Sequence, residues 1–222
     1  MWIAALETST EWCSVALWLD GEIAAIERRA GKRHSELALP MLARLMNNSG
    51  ITARELDAVA FGAGPGSFTG LRIACGLAQG LAFARGLKVI GVSTLESIAQ
   101  ASGARRVAAC LDARMREVYY AAYEQGGAGW REVVPAQCVA PREAPAPPGE
   151  GWVGCGNGFG AYGEILRSKI PLMRPEIHPS AVAVAQLAAP RLAAGEGVAA
   201  ALAAPVYVRE KVALTREGLE KR

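Results

Sequence analysis

Histidine is nearly absent from this chain: only His34 and His178 occur among 222 residues. Neither histidine has a second one a helical turn away, so the sequence does not indicate a metal site on one helix. Ser67 does not lie in a G-x-S-x-G turn, and the sequence has no pattern typical of a serine-histidine-aspartate triad. The scarcity of histidine therefore excludes many catalytic and metal-binding schemes.

Cysteines and aromatic residues are also few. The cysteines are Cys13, Cys75, Cys110, Cys138 and Cys155, without a C-x-x-C pair. An odd number with no pairing pattern argues for reduced thiols and against a zinc site or a disulfide framework. Phe, Trp and Tyr make up 6% of the chain, so the sequence does not indicate a base-stacking surface.

No apolar run is long enough to span a membrane. The apolar residues 2–6 meet Glu7 at once and lack the basic region of a signal peptide, so we expect a cytoplasmic protein. Hydrophobic residues make up 51% of the chain and its net charge is +3. This composition supports a folded core, and the mild charge permits contact with nucleic acid without arguing for it.

The segment from 56 to 84 carries the most informative pattern. A hydrophobic strand (56–61) leads into a glycine loop (62–66), and a helix is predicted from the N-cap Ser67 to about residue 84. A strand, a glycine loop and a helix N-terminus can bind an anion.

Small residues form two ridges on this helix, one of alanine and one of glycine. The ridges are Ala74, Ala78 and Ala82, and Gly76 and Gly80. Because glycine costs a helix ~1 kcal/mol relative to alanine, the glycines indicate close approach of another backbone. The helix is therefore either an interface helix or a helix packed tightly on its own sheet.

The order of predicted elements indicates the fold class. Strands at 2–6, 12–19 and 22–29 form an antiparallel meander, with a turn at Asp20-Gly21. A helix at 35–46 follows, with a kink or restart predicted at Pro40. After the glycine loop and its helix come a strand at 87–92 and a short helix capped by Ser93 or Thr94. Such an order is typical of the ribonuclease H-like lobe of actin, sugar kinases and Hsp70-type ATPases.

A second unit restarts the first, which indicates an internal duplication. We therefore predict an α/β protein with an N-terminal lobe (1–102) and a smaller C-terminal lobe (103–222). The second lobe is expected to be a shortened, degenerate copy. Its predicted parts are strands at 107–111, 118–123, 130–134 and 152–155, helices at 162–170 and 180–194, and a tail at 205–209 that packs back on the body.

Acidic turns occupy the positions where lobes of this class bind nucleotide phosphates. Glu7-Thr8-Ser9-Thr10 stands where Asp-x-Gly-Thr is usual, and Asp112 holds the equivalent place in the second unit, also without glycine. These turns are either a surviving phosphate site or inherited turns that no longer bind nucleotide.

Two further patterns leave alternatives open. The segment 158–163 matches G-x-G-x-x-G and indicates either a dinucleotide site or the relic of an adenosine-binding turn. The basic cluster at 28–33 is either a contact for RNA phosphates or a solvated surface.

Several motifs occur in one order along the chain: LETST (6–10), HSE (34–36), GPGSFTGLRI (64–73), GVSTL (91–95), DAR (112–114) and PVYVR (205–209). Together they resemble the bacterial TsaB (also called YeaZ) family of tRNA threonylcarbamoyladenosine biosynthesis proteins. The resemblance runs almost end to end, and the block at 64–73 is highly specific. The family usually has Asp where Glu7 stands, which further weakens any independent nucleotide chemistry.

The resemblance implies a non-catalytic subunit of a tRNA-modifying complex of the actin/Hsp70/sugar-kinase (ASKHA) fold. The complex transfers threonylcarbamoyl from threonylcarbamoyl-adenylate to N6 of adenosine 37, in tRNAs that read codons beginning with A. The chemistry and its metal belong to a larger paralogous subunit, TsaD, and a small ATPase, TsaE, joins the pair. This chain alone is then expected to bind no ATP and no metal, to form a homodimer, to meet tRNA through the complex and to bind no membrane.

The same resemblance places pairing with TsaD on helices that match 35–46 and 67–84. The candidate interface residues are His34, Leu37, Met41, Leu45, Ser67, Thr69, Gly70, Arg72, Ile73, Gly76, Leu77 and Gly80. An alternative from the residues is an autonomous ATP-dependent kinase or ATPase, because Glu7 and Asp112 stand in equivalent turns. A peptidase, an older label in this family, has no nucleophile–base pair in the sequence to support it.

Overall fold

The computed structural model describes residues 1–127 and 129–209. The chain opens with an antiparallel meander of β1 (Trp2–Glu7), β2 (Trp12–Leu19) and β3 (Glu22–Arg29). Asp20 and Gly21 make the turn between β2 and β3 with φ angles of 52° and 108°, the positive values that an Asp-Gly turn favours. The predicted meander is confirmed.

Helices and strands then alternate in the predicted order: α1 (His34–Asn48), β4 (Ala58–Gly64), α2 (Phe68–Phe83), β5 (Lys88–Ser93) and α3 (Thr94–Ser102). Of the kink or restart predicted at Pro40, the restart is wrong, because α1 is one continuous helix. Pro40 lies on the exposed side of α1, where water can satisfy the carbonyl that loses its hydrogen bond.

The later elements are shorter and less regular. They are β6 (Arg106–Arg114), β7 (Glu117–Gly126), β8 (Gly129–Val139), β9 (Val153–Cys155), α4 (Asn157–Leu166), β10 (Leu172–Arg174), α5 (Ala181–Ala193) and β11 (Val198–Ala199). The sequence does not predict β10 and β11, because strands this short carry no periodic pattern. Among the helices that the structure describes, none is both long and apolar enough to cross a lipid bilayer.

Five strands follow the same order in both sheets of the described chain, and β11 is an additional edge strand of the first sheet. The first is six-stranded, in the order β11-β5-β4-β1-β2-β3, and the second is five-stranded, in the order β10-β9-β6-β7-β8. Ile3 of β1 pairs in parallel with Ala58 of β4, and Val107 of β6 pairs in the same way with Val153 of β9. The second sheet therefore repeats the topology of the first, and the fold is a mixed α/β fold with two sheets.

Helices cover both faces of the first sheet. Ala4 and Leu6 of β1 pack in one apolar cluster with residues of α1 and α2. Ile3 and Ala5 pack in another cluster with Val184 of α5. Since successive side chains of a strand point to opposite faces, α5 covers the face that α1 and α2 leave open.

One part of the predicted domain division needs correction. Among the described residues of the predicted second lobe, α5 packs on the first sheet and β11 joins its edge beside β5, so these two elements belong with the first sheet. The physical reason is that β1 is apolar on both faces and needs a second cover. The boundary near residue 102 stays a prediction, and residues 210–222 lie outside the described ranges.

Candidate partner interface and interlobe cleft

A cavity of about 830 Å³, which we call the cleft, opens between the two sheets. Its walls include residues 9–11 of the β1–β2 turn, residues 112–115 of the β6–β7 turn, the start of α2 and the chain segment 206–209. The two predicted nucleotide turns therefore face one site. Whether that site can take a phosphate depends on how the turns use their polar groups.

Glu7 is sealed away from solvent. Its side chain is fully buried, and Oε1 accepts a hydrogen bond from the Ser9 N–H at 2.6 Å. Oε2 has no hydrogen-bond partner among the described residues. Gly62 provides the space for this carboxyl, since a Cβ there would lie 1.9 Å from Oε2. Burial raises the pKa of Glu7, and the hydrogen bonds from Ser9 only partly oppose that effect.

Backbone N–H groups at the N-terminus of α2 are bonded to the chain itself. Ser67 caps the helix as predicted, with Oγ accepting from the Gly70 N–H at 3.3 Å, and its own N–H donates to the Ser9 carbonyl at 2.7 Å. A Cβ at Gly66 would lie 2.7 Å from the Ser9 Cβ, and one at Gly70 would lie 1.9 Å from the Thr8 carbonyl oxygen. These glycines therefore admit the β1–β2 turn, and the N–H groups of Ser67 and Gly70 in the predicted anion cradle are bonded within the chain.

Other groups of both turns are engaged within the chain, whereas the buried Ser9 Oγ has no hydrogen-bond partner among the described residues. Thr10 Oγ1 accepts from the Trp12 N–H at 3.3 Å. The Asp112 carboxylate accepts from the Arg114 N–H at 2.9 Å and pairs with the guanidinium of Arg114 at 3.1 Å. The Asp112 N–H donates to Asn157 Oδ1 at 2.9 Å. Within the described ranges, no group of three or more His, Cys, Asp and Glu side chains could hold a metal ion.

The C-terminal segment (residues 203–209) crosses the cleft. The Val206 N–H donates to the Ala63 carbonyl at the end of β4 at 2.7 Å. At the other end, Arg209 donates to the Ala113 carbonyl at 3.0 Å and pairs with Glu117 of β7. The tail therefore packs back on the body as predicted, and it bridges the two sheets along one wall of the cleft.

The G-x-G-x-x-G segment does not form a loop. Residues 158–163 lie inside α4, which begins at Asn157, before the predicted start near residue 162, and departs from helical backbone angles at Tyr162 (φ −129°, ψ 25°). A Cβ at Gly158 would lie 2.4 Å from the sulfur of Cys110 in β6. The glycine therefore lets α4 pack closely on the sheet, and the strand–loop–helix geometry of a dinucleotide site is missing from this segment.

The two ridges of α2 face opposite ways. Ala74, Ala78 and Ala82 are fully buried in the cluster that joins α2 to the first sheet. Gly76 and Gly80 are exposed, and apart from the adjoining backbone of α2 no described atom lies within 4 Å of a Cβ placed at either. The alanines therefore pack on the helix's own sheet, while the glycines contact no neighbour among the described residues.

The glycine ridge belongs to a longer exposed surface, which we call the open stripe. Its members recur at helical spacing along α2 and are exposed or half-buried. They are Thr69, Arg72, Ile73, Gly76, Leu77 and Gly80.

The predicted interface residues divide between this surface and the core. Besides the open stripe, Ser67 is exposed and Leu37 of α1 is half-buried. The buried members are His34, Met41, Leu45 and Gly70. These four are core residues rather than surface residues, because they lie on the inner faces of their helices. The pairing prediction therefore applies to the other members, for which it stays a prediction.

An exposed aromatic cluster beside the open stripe is missing from the sequence-based prediction. The Arg72 guanidinium carbon lies 3.6 Å from the ring centre of Phe68, and the Phe68 and Tyr207 rings are 5.6 Å apart. Arg72 Nε donates to the Tyr207 hydroxyl at 3.2 Å. Phe68 and Tyr207 stand in the motifs GPGSFTGLRI and PVYVR, but the contact of Tyr207 with Arg72 spans 135 positions and has no local signal.

His178 acquires partners that its sequence context does not reveal. Its ring stacks on Trp12 of β2, with centres 4.5 Å apart and planes inclined by 8°. Nε2 lies 2.9 Å from Oε1 of Glu27 in β3, and this contact raises the pKa of His178. The histidine thus fastens the loop before α5 to the first sheet.

Comparison with known proteins agrees with these features. The family model described as "TsaD: tRNA N6-adenosine threonylcarbamoyltransferase" matches residues 26–211. The Escherichia coli protein named "tRNA threonylcarbamoyladenosine biosynthesis protein TsaB" is 39% identical, over 96% of this chain and 96% of that protein. The Haemophilus influenzae protein of the same name is 35% identical, over 95% of this chain and 94% of that one.

A solved structure extends the likeness to three dimensions. YeaZ from Pseudomonas aeruginosa superposes with a TM-score of 0.89 at 39% identity, covering 93% of this chain and 99% of that one. Identity at this level over nearly the full length of both chains shows common membership, and the motif resemblance is confirmed. The chain belongs to the TsaB (YeaZ) family.

Proposed function

We propose that this chain is a non-catalytic subunit in the biosynthesis of threonylcarbamoyladenosine at position 37 of tRNAs that read codons beginning with A. In this proposal it pairs with a TsaD transferase, which holds the metal and transfers threonylcarbamoyl from threonylcarbamoyl-adenylate. TsaE supplies the ATPase, tRNA is met through the complex, and the chain acts in the cytoplasm and forms a homodimer when alone. Relatives named for this biosynthesis support the assignment.

The observation that carries the pairing role is the open stripe of α2. Glycine in a helix interior lowers stability, and this cost is offset only where the missing side chain lets another group approach the backbone closely. No group of the described chain uses the space at Gly76 and Gly80, because apart from the adjoining backbone of α2 no atom of it lies within 4 Å of their Cβ positions. Half-buried Ile73 and Leu77 flank them. A partner helix can therefore approach the backbone of α2 closely and bury these apolar side chains.

The cleft supports the non-catalytic part of the proposal. Glu7 is buried beneath its turn, the N–H of the N-cap residue Ser67 donates to the Ser9 carbonyl, and Asp112 is bonded to Arg114. The C-terminal segment already bridges both sheets. The second lobe is in our proposal a shortened copy, consistent with the three-residue strands β9 and β10. An autonomous kinase or ATPase would need these turns free for phosphate and metal.

The pairing is tested with Gly76→Leu and Gly80→Leu. Both positions have room for a side chain in the isolated protein, so the variants should fold and yet fail to form a complex with TsaD in size-exclusion chromatography. Modification of tRNA by the reconstituted system should fall with the complex. Ala193→Leu adds the same side chain to an exposed position of α5 and should leave pairing unchanged. A complex of normal size and affinity with both glycine variants would contradict the proposal.

Calorimetry with ATP and magnesium separates the two candidate functions. The isolated wild-type chain should show no heat of binding, because the carboxylates of both turns are buried or paired within the chain. Binding of ATP with defined stoichiometry would favour the autonomous enzyme instead. Adding Glu7→Gln as a second sample would then show whether the buried carboxyl takes part.

A further inference from the structure

Arg72 is fixed in place before any partner arrives. Its guanidinium lies over the Phe68 ring at 3.6 Å from the ring centre, and its Nε–H donates to the Tyr207 hydroxyl at 3.2 Å. The Phe68 and Tyr207 rings support each other at 5.6 Å. The stack restricts the plane of the guanidinium, and the hydrogen bond restricts its rotation within that plane.

The outer edge of this guanidinium remains available. Among the described residues, the two Nη atoms of Arg72 have neither a hydrogen bond nor a salt bridge, and the side chain is exposed. Other arginines near the cleft differ, since Arg114 pairs with Asp112 and Arg209 with Glu117. An arginine held at Nε presents its remaining N–H groups as a fork, which matches the two oxygens of a carboxylate or phosphate.

We propose that Arg72, held by Phe68 and Tyr207, is a preorganised receptor for a carboxylate of the protein that pairs with α2. Arg72 is a member of the open stripe, one turn before Gly76, so a helix seated on the glycines passes beside the fork. The adjoining surface is small and apolar, with Ile73 and Leu77, and suits a protein helix better than a nucleic-acid backbone. Tyr207 is a positioning residue: it acts on the partner by orienting Arg72.

The inference deepens the proposed function and rests on it where a partner is concerned. Binding of TsaD by wild-type chain, Arg72→Lys and Tyr207→Phe is measured by calorimetry. Arg72→Lys keeps the charge and loses the fork, so affinity should fall at least about tenfold. Tyr207→Phe keeps the ring and loses the hydrogen bond to Nε, and should cause a smaller loss. Arg85→Lys, beyond the far end of α2, is the matched control and should bind normally.

A second measurement needs no partner and keeps the two proposals separate. In nitrogen-15 NMR of the isolated chain, the Arg72 Nε–H should exchange with water more slowly than that of Arg85. Tyr207→Phe should abolish the difference. If wild-type chain fails to bind TsaD, the proposed function falls, while the exchange rate still reports whether Arg72 is held.

Three outcomes would overturn the inference. Normal affinity of Arg72→Lys for TsaD would show that no oriented fork is used. If Arg72→Lys pairs normally but the complex binds tRNA more weakly in a filter-binding assay, the anion is an RNA phosphate rather than a protein carboxylate. Equal exchange at Arg72 and Arg85 would contradict the preorganisation itself.

Discussion

Replacing Gly76 and Gly80 with alanine should stabilise the isolated chain while weakening its pairing. Both glycines lie in the interior of α2 with helical backbone angles, and a Cβ at either would meet no described atom within 4 Å. Each substitution should therefore gain the helix-propensity difference of ~0.5–1 kcal/mol without a steric cost. The double variant should be more stable by about 1–2 kcal/mol, because neither methyl group disturbs the core.

The assay is urea unfolding of the isolated chain, at dilutions where sedimentation shows a monomer. The midpoint should rise while the slope of the free energy of unfolding against urea stays constant. The same double variant should bind TsaD more weakly, by at least about tenfold, since two methyl groups hold the partner helix away from the backbone of α2. Self-association of the isolated chain, if it uses the open stripe, should weaken in parallel.

Gly70→Ala is the contrast within the same helix. Its Cβ would lie 1.9 Å from the backbone carbonyl oxygen of Thr8, and a backbone atom cannot swing aside as a flexible side chain can. We expect a loss of at least ~1–3 kcal/mol in the free energy of unfolding, as for other overpacked sites. The reasoning is refuted if Gly76→Ala destabilises the chain as Gly70→Ala does. It is refuted equally if the stabilised double variant binds TsaD with wild-type affinity.

Three further predictions concern charged groups. Burial raises the pKa of Glu7. The contribution of Glu7 to stability is therefore present below its ordinary pKa of 4.5 and is lost as pH rises through the raised pKa. When unfolding is measured across pH, Glu7→Gln should remove this loss of stability. The contact with Glu27 raises the pKa of His178. The contribution of His178 to stability is therefore complete below pH 6.5 and disappears as pH rises through the raised pKa. If His178→Gln has the same dependence of stability on pH as the wild-type chain, this prediction is wrong. Arg209→Ala should speed amide hydrogen exchange at both turns of the cleft, because Arg209 anchors the C-terminal segment through Glu117; unchanged exchange would show that the anchor is unnecessary.

Local signals were enough to predict most of the first lobe. A continuous apolar run defines β1, alternating apolar residues define β2, and the Asp20-Gly21 turn sets the hairpin. Ser67 and Ser93 cap their helices through side-chain hydrogen bonds. The failures are tertiary in origin. β11 exists only because β5 offers an edge, and α5 belongs to the first sheet because β1 is apolar on both faces.

The candidate site was less predictable, for reasons of geometry. α2 has two small-residue ridges, and spacing alone does not show which one faces the sheet. The contact between Arg72 and Tyr207 spans 135 positions, beyond the reach of any periodic pattern. Met41 and Leu45 of α1 have the apolar spacing of an interface, yet they are buried in their own core, because core-facing and partner-facing stripes look alike in sequence.

The glycines of the segment 62–80 therefore serve two different purposes. Gly62 and Gly70 admit groups of the β1–β2 turn, so that turn fixes the position of α2 on the sheet. Gly76 and Gly80 admit nothing from the described part of their own chain and leave the outer backbone of α2 open. A substitution in the first group should impair pairing only by unfolding or shifting the helix, and stability and affinity should fall together. A substitution in the second group should separate the two quantities, and that separation is the signature of a surface kept free for a partner.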